Sequence, residues 1–515
     1  MDIMFLAFLA LMQSVLIGAV IVVPAAWVFD RMGDEILALS AGLVVFACAG
    51  WFCFFFYWAH PYLGLAYKLC LFSLLIFALR KLWIDGRLRQ PIWINLAPAF
   101  FVVPATLIIT LWAFIGTDLS DPLITAASRW THDLPIDNSL PFIMAQYLRD
   151  GAVPSPMIGD WLGSDRPPLQ SGLYLLFGHP DIFSNDLLLY QVSGTAIQLT
   201  ALTGVYLLAR SLGVDRKLSV AAVLAVFFSP LALQHATYVW PKLLPAGLLC
   251  VTAGLYFTPS FPRYRDRVLP ALLAGGAAAM ALGGHGASAF MLVGFAGYAL
   301  LSHRFPTFKF LAVASVTFIL LELPWSAYQH YVDPPGDRLL KWHVAGDVGP
   351  NELSFSEALA VSLHEVRMWD WYQARKANFD TLFGSQELMN QYYTGLLEPP
   401  AGHERSEYAQ DIRIQQFFHT KPSMGVFMMG LVLVPLFLFF GALRGLAGAV
   451  IVGLSAWCLL MFEPASTVVH QGSFFPQLAL ITLSVIGLSK VHWGLAFVGV
   501  AAQLIWAIII FGVFG

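Results

Sequence analysis

The chain has 515 residues, of which 58% are hydrophobic and 14% aromatic, and its mean hydropathy is +0.71. Only 11% are Asp, Glu, Lys or Arg, and the formal net charge is −3. That balance excludes a soluble globular protein and gives no reason to expect a nucleic-acid partner; the fold class it implies is an all-α polytopic membrane protein.

A bilayer-crossing helix needs about 20 mostly apolar residues. Such stretches fall near 3–29, 36–58, 62–80, 97–116, 187–209, 217–235, 242–258, 268–284, 286–302, 307–325, 422–442, 445–462, 472–489 and 493–513. The expectation is therefore 13–14 transmembrane helices. Residues 268–302 read either as two short helices or as one broken one, because Gly283, Gly284 and Gly286 interrupt them. Asp2 precedes the first apolar run and no Lys or Arg does, which suits a retained first helix with its N-terminus outside. All five cysteines lie inside apolar stretches, so neither a disulfide framework nor a Cys-based metal site is expected.

The short connections that carry Arg80, Lys81, Arg87 and Arg89, then Arg210, Arg216 and Lys217, then Arg263, Arg265 and Arg267 alternate correctly with these spans. Arg304 with Lys309, Arg444 and Lys490 continue the series, and all of them fall on one side, the cytoplasmic one by the positive-inside rule. The other side receives two long segments, about 117–186 and 326–421, rich in Asp, His, Trp and Pro. Four regions follow: an N-terminal three-helix module (1–96), a core (97–325) holding the first outer loop, a second outer loop (326–421) and a C-terminal four-helix segment (422–515). Within the first loop, "LPFIMAQYLR" (140–149) reads as an amphipathic helix lying along the membrane surface.

Chemistry, if present, should face outward. In "THDLPIDNSL" (131–140) the acids Asp133 and Asp137 stand beside His132 and Asn138, and Pro135 disfavours a regular helix between them. A carboxylate at the mouth of an apolar cavity gains proton affinity and suits a general base for an incoming hydroxyl. A solvated acid capping the helix that starts near Asn138 fits the same residues.

Further on comes "GDWLGSDRPPLQSGLYLL" (159–176). An acidic pair in a long outer loop, a surface helix, and then basic-Pro-Pro-Leu leading back into the membrane resembles the GT-C superfamily of integral-membrane glycosyltransferases. The similarity is to its aminoarabinose-transferase and protein-mannosyltransferase-like branches and spans residues 97–260. It implies a polyprenyl-phosphate-linked sugar donor and a glycan, lipid or protein acceptor. On that resemblance Asp137 and Asp133 take the catalytic position, and Arg166, Pro167, Pro168 and Leu169 the basic-Pro-Pro-Leu segment. The family's acidic loop usually follows its first helix, whereas three extra helices precede the matching one here.

An inverting enzyme of that kind also needs cations for the leaving lipid phosphate. Lys242, in "HATYVWPKLLP", breaks the cytoplasmic pattern of the other bases and suits a phosphate contact or a snorkelling interface lysine. His285 lies between glycines at an outer turn. Glu322 lies within an apolar span, where an ionisable group suggests function. Arg338, Lys341 and His343 follow "DPPGD" and form a cationic group that suits a phosphate or a solvated face. His470, in the last outer loop, would complete a cavity wall. No cofactor is implied with certainty, but Asp133, Asp137 and His132 together suit a hard divalent cation.

Together these features point to a glycosyltransferase of the bacterial inner membrane with its site on the periplasmic face. Two other readings share some of them. A polysaccharide polymerase or O-antigen-ligase-like enzyme would also have many helices and a late outer loop with Arg and His. A transporter or lipid flippase would instead distribute ionisable residues through mid-membrane.

Overall fold

A computed structural model describes residues 3–86, 92–131, 134–152, 161–178, 185–303, 305–347, 353–384, 403–462 and 474–513, with Asn390, Thr394 and Glu398 besides. Every regular element among the described residues is a helix. Among the described residues seven helices are long and apolar enough to cross a membrane: Ile3–Met32, Glu35–Ala59, Pro61–Ile84, Ile94–Phe114, Asp186–Ser211, Phe308–Tyr331 and Trp493–Gly512. Arg216–Phe227 and Pro230–Tyr238 make an eighth if taken together, across a bend of 60°. Each of the other apolar stretches read from the sequence also carries helix, in pieces of 10–17 residues.

The first three helices, α1 (Ile3–Met32), α2 (Glu35–Ala59) and α3 (Pro61–Ile84), follow one another through short turns. The Asp34 carboxylate starts α2 by accepting from the amides of Ile36 and Leu37, and Pro61 starts α3 where its missing N–H is harmless. Next come α4 (Val102–Phe114), α5 (Leu140–Arg149), α6 (Leu169–Phe177), α7 (Asp186–Leu199) and α8 (Ala201–Ser211). The bent pair is α9 (Arg216–Phe227) and α10 (Pro230–Tyr238). Pro230 cannot extend α9, and Ser229 instead opens α10 by accepting from the Ala232 amide at 3.2 Å.

The core continues with α11 (Leu243–Tyr256), α12 (Val268–Gly284), α13 (Ser288–Leu301) and α14 (Phe308–Tyr331). Residues 268–302 are thus two helices, broken at His285. α1 packs on α4 and α7, α2 on α6 and α12, α8 on α11, and α12 on α14. The α8–α11 seam is close because Gly204 faces Gly247: a Cβ on Gly204 would lie 2.4 Å from the Gly247 carbonyl oxygen.

The second long segment supplies α15 (Phe355–Glu365), α16 (Met368–Phe383) and α17 (His403–Phe418), and α18 (Arg444–Leu460), α19 (Phe475–Val491) and α20 (Trp493–Ile508) close the chain. α16 caps the end of α18: Arg375 donates to the Leu459 carbonyl at 2.9 Å, and Asn378 to those of Met461 (2.7 Å) and Cys458 (3.1 Å). These bonds satisfy carbonyls that a helix end leaves open.

Polar contacts gather at the two ends of the bundle. At one end Glu35 meets Arg210 at 3.3 Å and Arg216 at 3.7 Å. There too Tyr264 donates to Asp34 at 3.1 Å and Thr307 to the Arg265 carbonyl at 2.6 Å. α2 and α14 start at this end. At their far ends Trp58 and Phe54 pack on Tyr328, and beyond these rings lie the two long segments.

The helix expected over 140–149 forms, as α5, but its apolar face meets protein. Leu140, Phe142, Met144, Ala145 and Leu148 are buried, and Phe142 packs on Tyr174 and Tyr190.

Candidate functional site

Asp137 lies on a tight turn, Ile136–Ser139, directly after Pro135. Its surroundings differ from the apolar pocket the sequence suggested. Arg166 Nη2 donates to Oδ2 at 2.9 Å, Trp240 Nε1 donates to Oδ2 at 3.2 Å, and the Tyr238 hydroxyl donates to Oδ1 at 2.7 Å. The same hydroxyl also reaches the Pro135 carbonyl. Asn138 turns away from the acid beside it; it is buried and donates to the Leu123 carbonyl at 3.4 Å. Nor does Asp137 cap α5, whose first turn has no side-chain cap.

Tyr238 and Trp240 reach one carboxylate because of the residue between them. Val239 closes α10 with φ 59 and ψ 30, in the left-handed region that β-branched residues avoid. The turn redirects the chain so that side chains two positions apart converge. Gly194 of α7 makes room for it: a Cβ there would lie 2.1 Å from Val239 Cγ1. Trp130 secures the same turn by donating to Thr237 Oγ1 at 3.1 Å.

Arg166 connects this acid to the second long segment. Its guanidinium lies 4.2 Å from the Trp161 ring centroid, and that of Arg338 lies 5.7 Å from the same ring. Arg338 pairs with Asp165 at 3.2 Å, both side chains being buried. Burial pushes Asp165 above the usual carboxylate range, against the pull of the Leu162 amide and Arg338. The Ser164 amide donates to Asp333 at 2.7 Å, and Gln329 donates to the Ser164 carbonyl at 3.1 Å. Lys341 is fully buried, 3.2 Å from Asp337, and donates to the Leu353 carbonyl at 2.9 Å. In the cationic group read from the sequence, Arg338 and Lys341 are thus each paired with an acid, Asp165 from the facing segment and Asp337 from their own.

Lys242 and His285 meet, Nζ against Nε2, and Nζ also lies 4.1 Å from the Trp240 ring centroid. The Ala287 amide donates to His285 Nδ1 at 3.1 Å, which fixes the ring at the α12–α13 break. Lys242 lies within electrostatic reach of Arg166 and Asp137. His343 is part of the same group. Burial pushes its imidazole down to about 4, and the charges of Lys242 and Arg166 push the same way. Its carbonyl accepts from the Phe462 amide at 2.7 Å, tying it to the end of α18.

Asp137, Arg166 and His343 from the two long segments thus share one cluster with Lys242 and His285 from the α10–α11 and α12–α13 breaks. No protein-family model, curated protein or solved structure matches this chain. What the cluster does must be argued from its own geometry.

Two donors in the cluster, Arg166 Nε and Ser164 Oγ, are buried without a hydrogen-bond partner among the described residues. Such groups are costly to leave unmet, so an acceptor entering here would gain both. Glu322 stands apart on the buried face of α14 with Trp325 and Tyr328, and its Oε1 has no partner among the described residues. His132, Asp133 and His470 lie outside the described residues. No three His, Cys, Asp or Glu side chains gather as a metal site among the described residues. Sequence reasoning passed over Tyr238, Trp240, Trp161 and Asp165. The local signal was there in "YVWPK" and "WLGSD", where aromatics crowd the bases, but Val239's backbone conformation leaves no mark in composition.

Proposed function

We propose that this chain is a GT-C-type integral-membrane glycosyltransferase with 13–14 membrane crossings. It would transfer a sugar from a polyprenyl-phosphate donor to an acceptor hydroxyl at the periplasmic face of a bacterial inner membrane. The observation that carries this reading is the cluster in which Asp137 stands beside Arg166, within reach of Lys242 and His343.

A carboxylate offers about four acceptor positions, and Tyr238, Arg166 and Trp240 occupy three. The remaining one, on Oδ1, is where an acceptor hydroxyl would donate. That hydroxyl attacks the anomeric carbon, its proton passes to Asp137, and the bond from the anomeric carbon to the phosphate oxygen breaks. The released lipid phosphate is an anion, and the Arg166 guanidinium would stabilise its charge while the Lys242 amino group would donate to it. His343, neutral at pH 7, would contribute a hydrogen bond rather than a charge. Nucleotide sugars do not reach that face of the membrane, which is why a lipid-linked donor is proposed.

The test uses purified wild type and Asp137→Asn, both folded, with a panel of polyprenyl-phosphate sugars and cell-envelope acceptors. Release of polyprenyl phosphate by wild type and its loss in the variant is the expected result. Equal turnover by both would remove Asp137 from the chemistry, and no turnover with any donor would overturn the reading.

A further inference from the structure

The break between α10 and α11 is lined by buried side-chain amides that join the two halves of the site. Tyr190 of α7 donates its hydroxyl to the carbonyl of Asn138, the residue after Asp137, at 3.0 Å. That hydroxyl accepts from Gln170 Nε2 of α6 at 2.9 Å, and the same Nε2 donates to the Val239 carbonyl at 3.0 Å. Gln170 Oε1 accepts from Gln198 Nε2 at 2.6 Å. Gln198 Oε1 then accepts from the amides of Leu243 (2.9 Å) and Leu244 (3.1 Å), the first two residues of α11 and the next after Lys242. Tyr190, Gln170 and Gln198 are all buried.

A helix break inside a bundle leaves backbone groups that no lipid can satisfy, so some polar residues are needed there. Gln191 meets that need by donating to the Thr237 carbonyl at 2.7 Å, and Thr195 by donating to that of Ala236 at 3.0 Å. The Tyr190–Gln170–Gln198 chain does something further. It runs without interruption from the acid turn to the start of the helix that carries Lys242, and Gln170 lies four residues after Arg166 on the same segment. Buried amide networks of this kind have one satisfied arrangement, which fixes the elements they touch.

We propose that Gln170 and Gln198 are positioning residues that set Lys242 at a fixed distance from Asp137 and Arg166. A lipid phosphate then meets both bases while the acceptor hydroxyl meets the acid. Neither glutamine touches substrate. The inference rests on the glycosyltransferase reading and adds to it what holds the phosphate-binding lysine in place.

The probe is a polyprenyl monophosphate without sugar, and its binding is measured to the full chain as wild type, Gln198→Met, Gln198→Glu and Lys242→Met. Methionine keeps the size of Gln198 and removes the acceptor for Leu243 and Leu244. Glutamate keeps the acceptor for Leu243 and Leu244 and, protonated in this buried place, can donate to Gln170 Oε1 as the amide did. Expected is a roughly tenfold loss of binding in Gln198→Met, the size of one charge-assisted contact, with most of it restored in Gln198→Glu. Thermal unfolding temperatures of the two Gln198 variants are recorded alongside. Wild-type binding in both Gln198 variants, with loss only in Lys242→Met, would overturn the positioning role and leave the function standing. Equal losses in Met and Glu that track lowered unfolding temperatures would reduce Gln198 to a packing role and also overturn it. If wild type binds no polyprenyl phosphate, the functional reading fails, and the inference with it.

Discussion

Arg166 and Asp137 lie 29 residues apart in the chain and 2.9 Å apart in space, with both side chains largely withdrawn from solvent. Removing one partner of such a pair strands the other, at a cost of about 3 kcal/mol. Arg166→Met should therefore destabilise the protein strongly, and Arg166→Met combined with Asp137→Leu should cost less than the sum of the two single changes. Denaturant unfolding of the four proteins in detergent measures the coupling. Strict additivity would mean that the pair has no energetic link.

Gly194→Ala tests the Val239 turn. The new methyl would sit 2.1 Å from Val239 Cγ1, and valine has no flexible end to move aside. Overpacking of this sort costs about 1–3 kcal/mol. On the glycosyltransferase reading, release of polyprenyl phosphate should fall as well, because moving Val239 pulls both Tyr238 and Trp240 off Asp137. Retained turnover in a folded Gly194→Ala protein would show that the two donors are dispensable.

His343 sets a pH dependence with a definite sign. Its imidazole titrates at about 4 in the fold against 6.5 when unperturbed. Between those values the unfolded chain takes the proton first, so stability falls as pH drops from 6.5 towards 4 and levels off below. At pH 5 this residue alone accounts for a loss of about 2 kcal/mol. The unfolding temperature of His343→Gln should drop less than that of wild type between pH 7 and pH 5. Equal drops would place a protonated imidazole in the fold.

Lys68 is buried on α3, and its ammonium donates to the carbonyls of Leu175, at 3.0 Å, and Gly178, at the end of α6. A cation there satisfies open carbonyls and complements the helix dipole. Lys68→Met should lower stability by about 1–2 kcal/mol and loosen the segment that carries Arg166. A thermal scan with and without polyprenyl phosphate reads both effects, and an unchanged unfolding temperature would contradict this role.

Much of the architecture was legible because hydropathy records burial in lipid directly. Each apolar stretch became helix, and the glycines around His285 marked a true break between α12 and α13. The spanning lengths were less legible: α11, α12 and α18 run to only 14–17 residues because capping and backbone turns, not hydropathy, decide where a helix stops. In the site, Lys242 stood out against the cytoplasmic pattern of the other bases, Asp137 and Arg166 through the acidic pair and the basic-Pro-Pro-Leu segment, and His343 as part of the cationic group after "DPPGD". Their partners were not. Whether Arg338 is a free cation or is matched by Asp165 depends on how two segments some 170 residues apart meet, and no local pattern encodes that meeting. Tyr238 and Trp240 looked like ordinary interfacial aromatics because only the backbone angle of Val239 turns them inward.

The scattering of Asp137's partners has a consequence for biosynthesis. On a ribosome the acid turn emerges well before Arg166, and Tyr238 and Trp240 follow 101 and 103 residues behind it. Until α10 is delivered, the nascent chain carries a carboxylate two of whose three donors do not yet exist. That acid must stay in contact with water through this interval. The long segment that holds the acid turn gives it the slack to do so until the bent helix pair is in place.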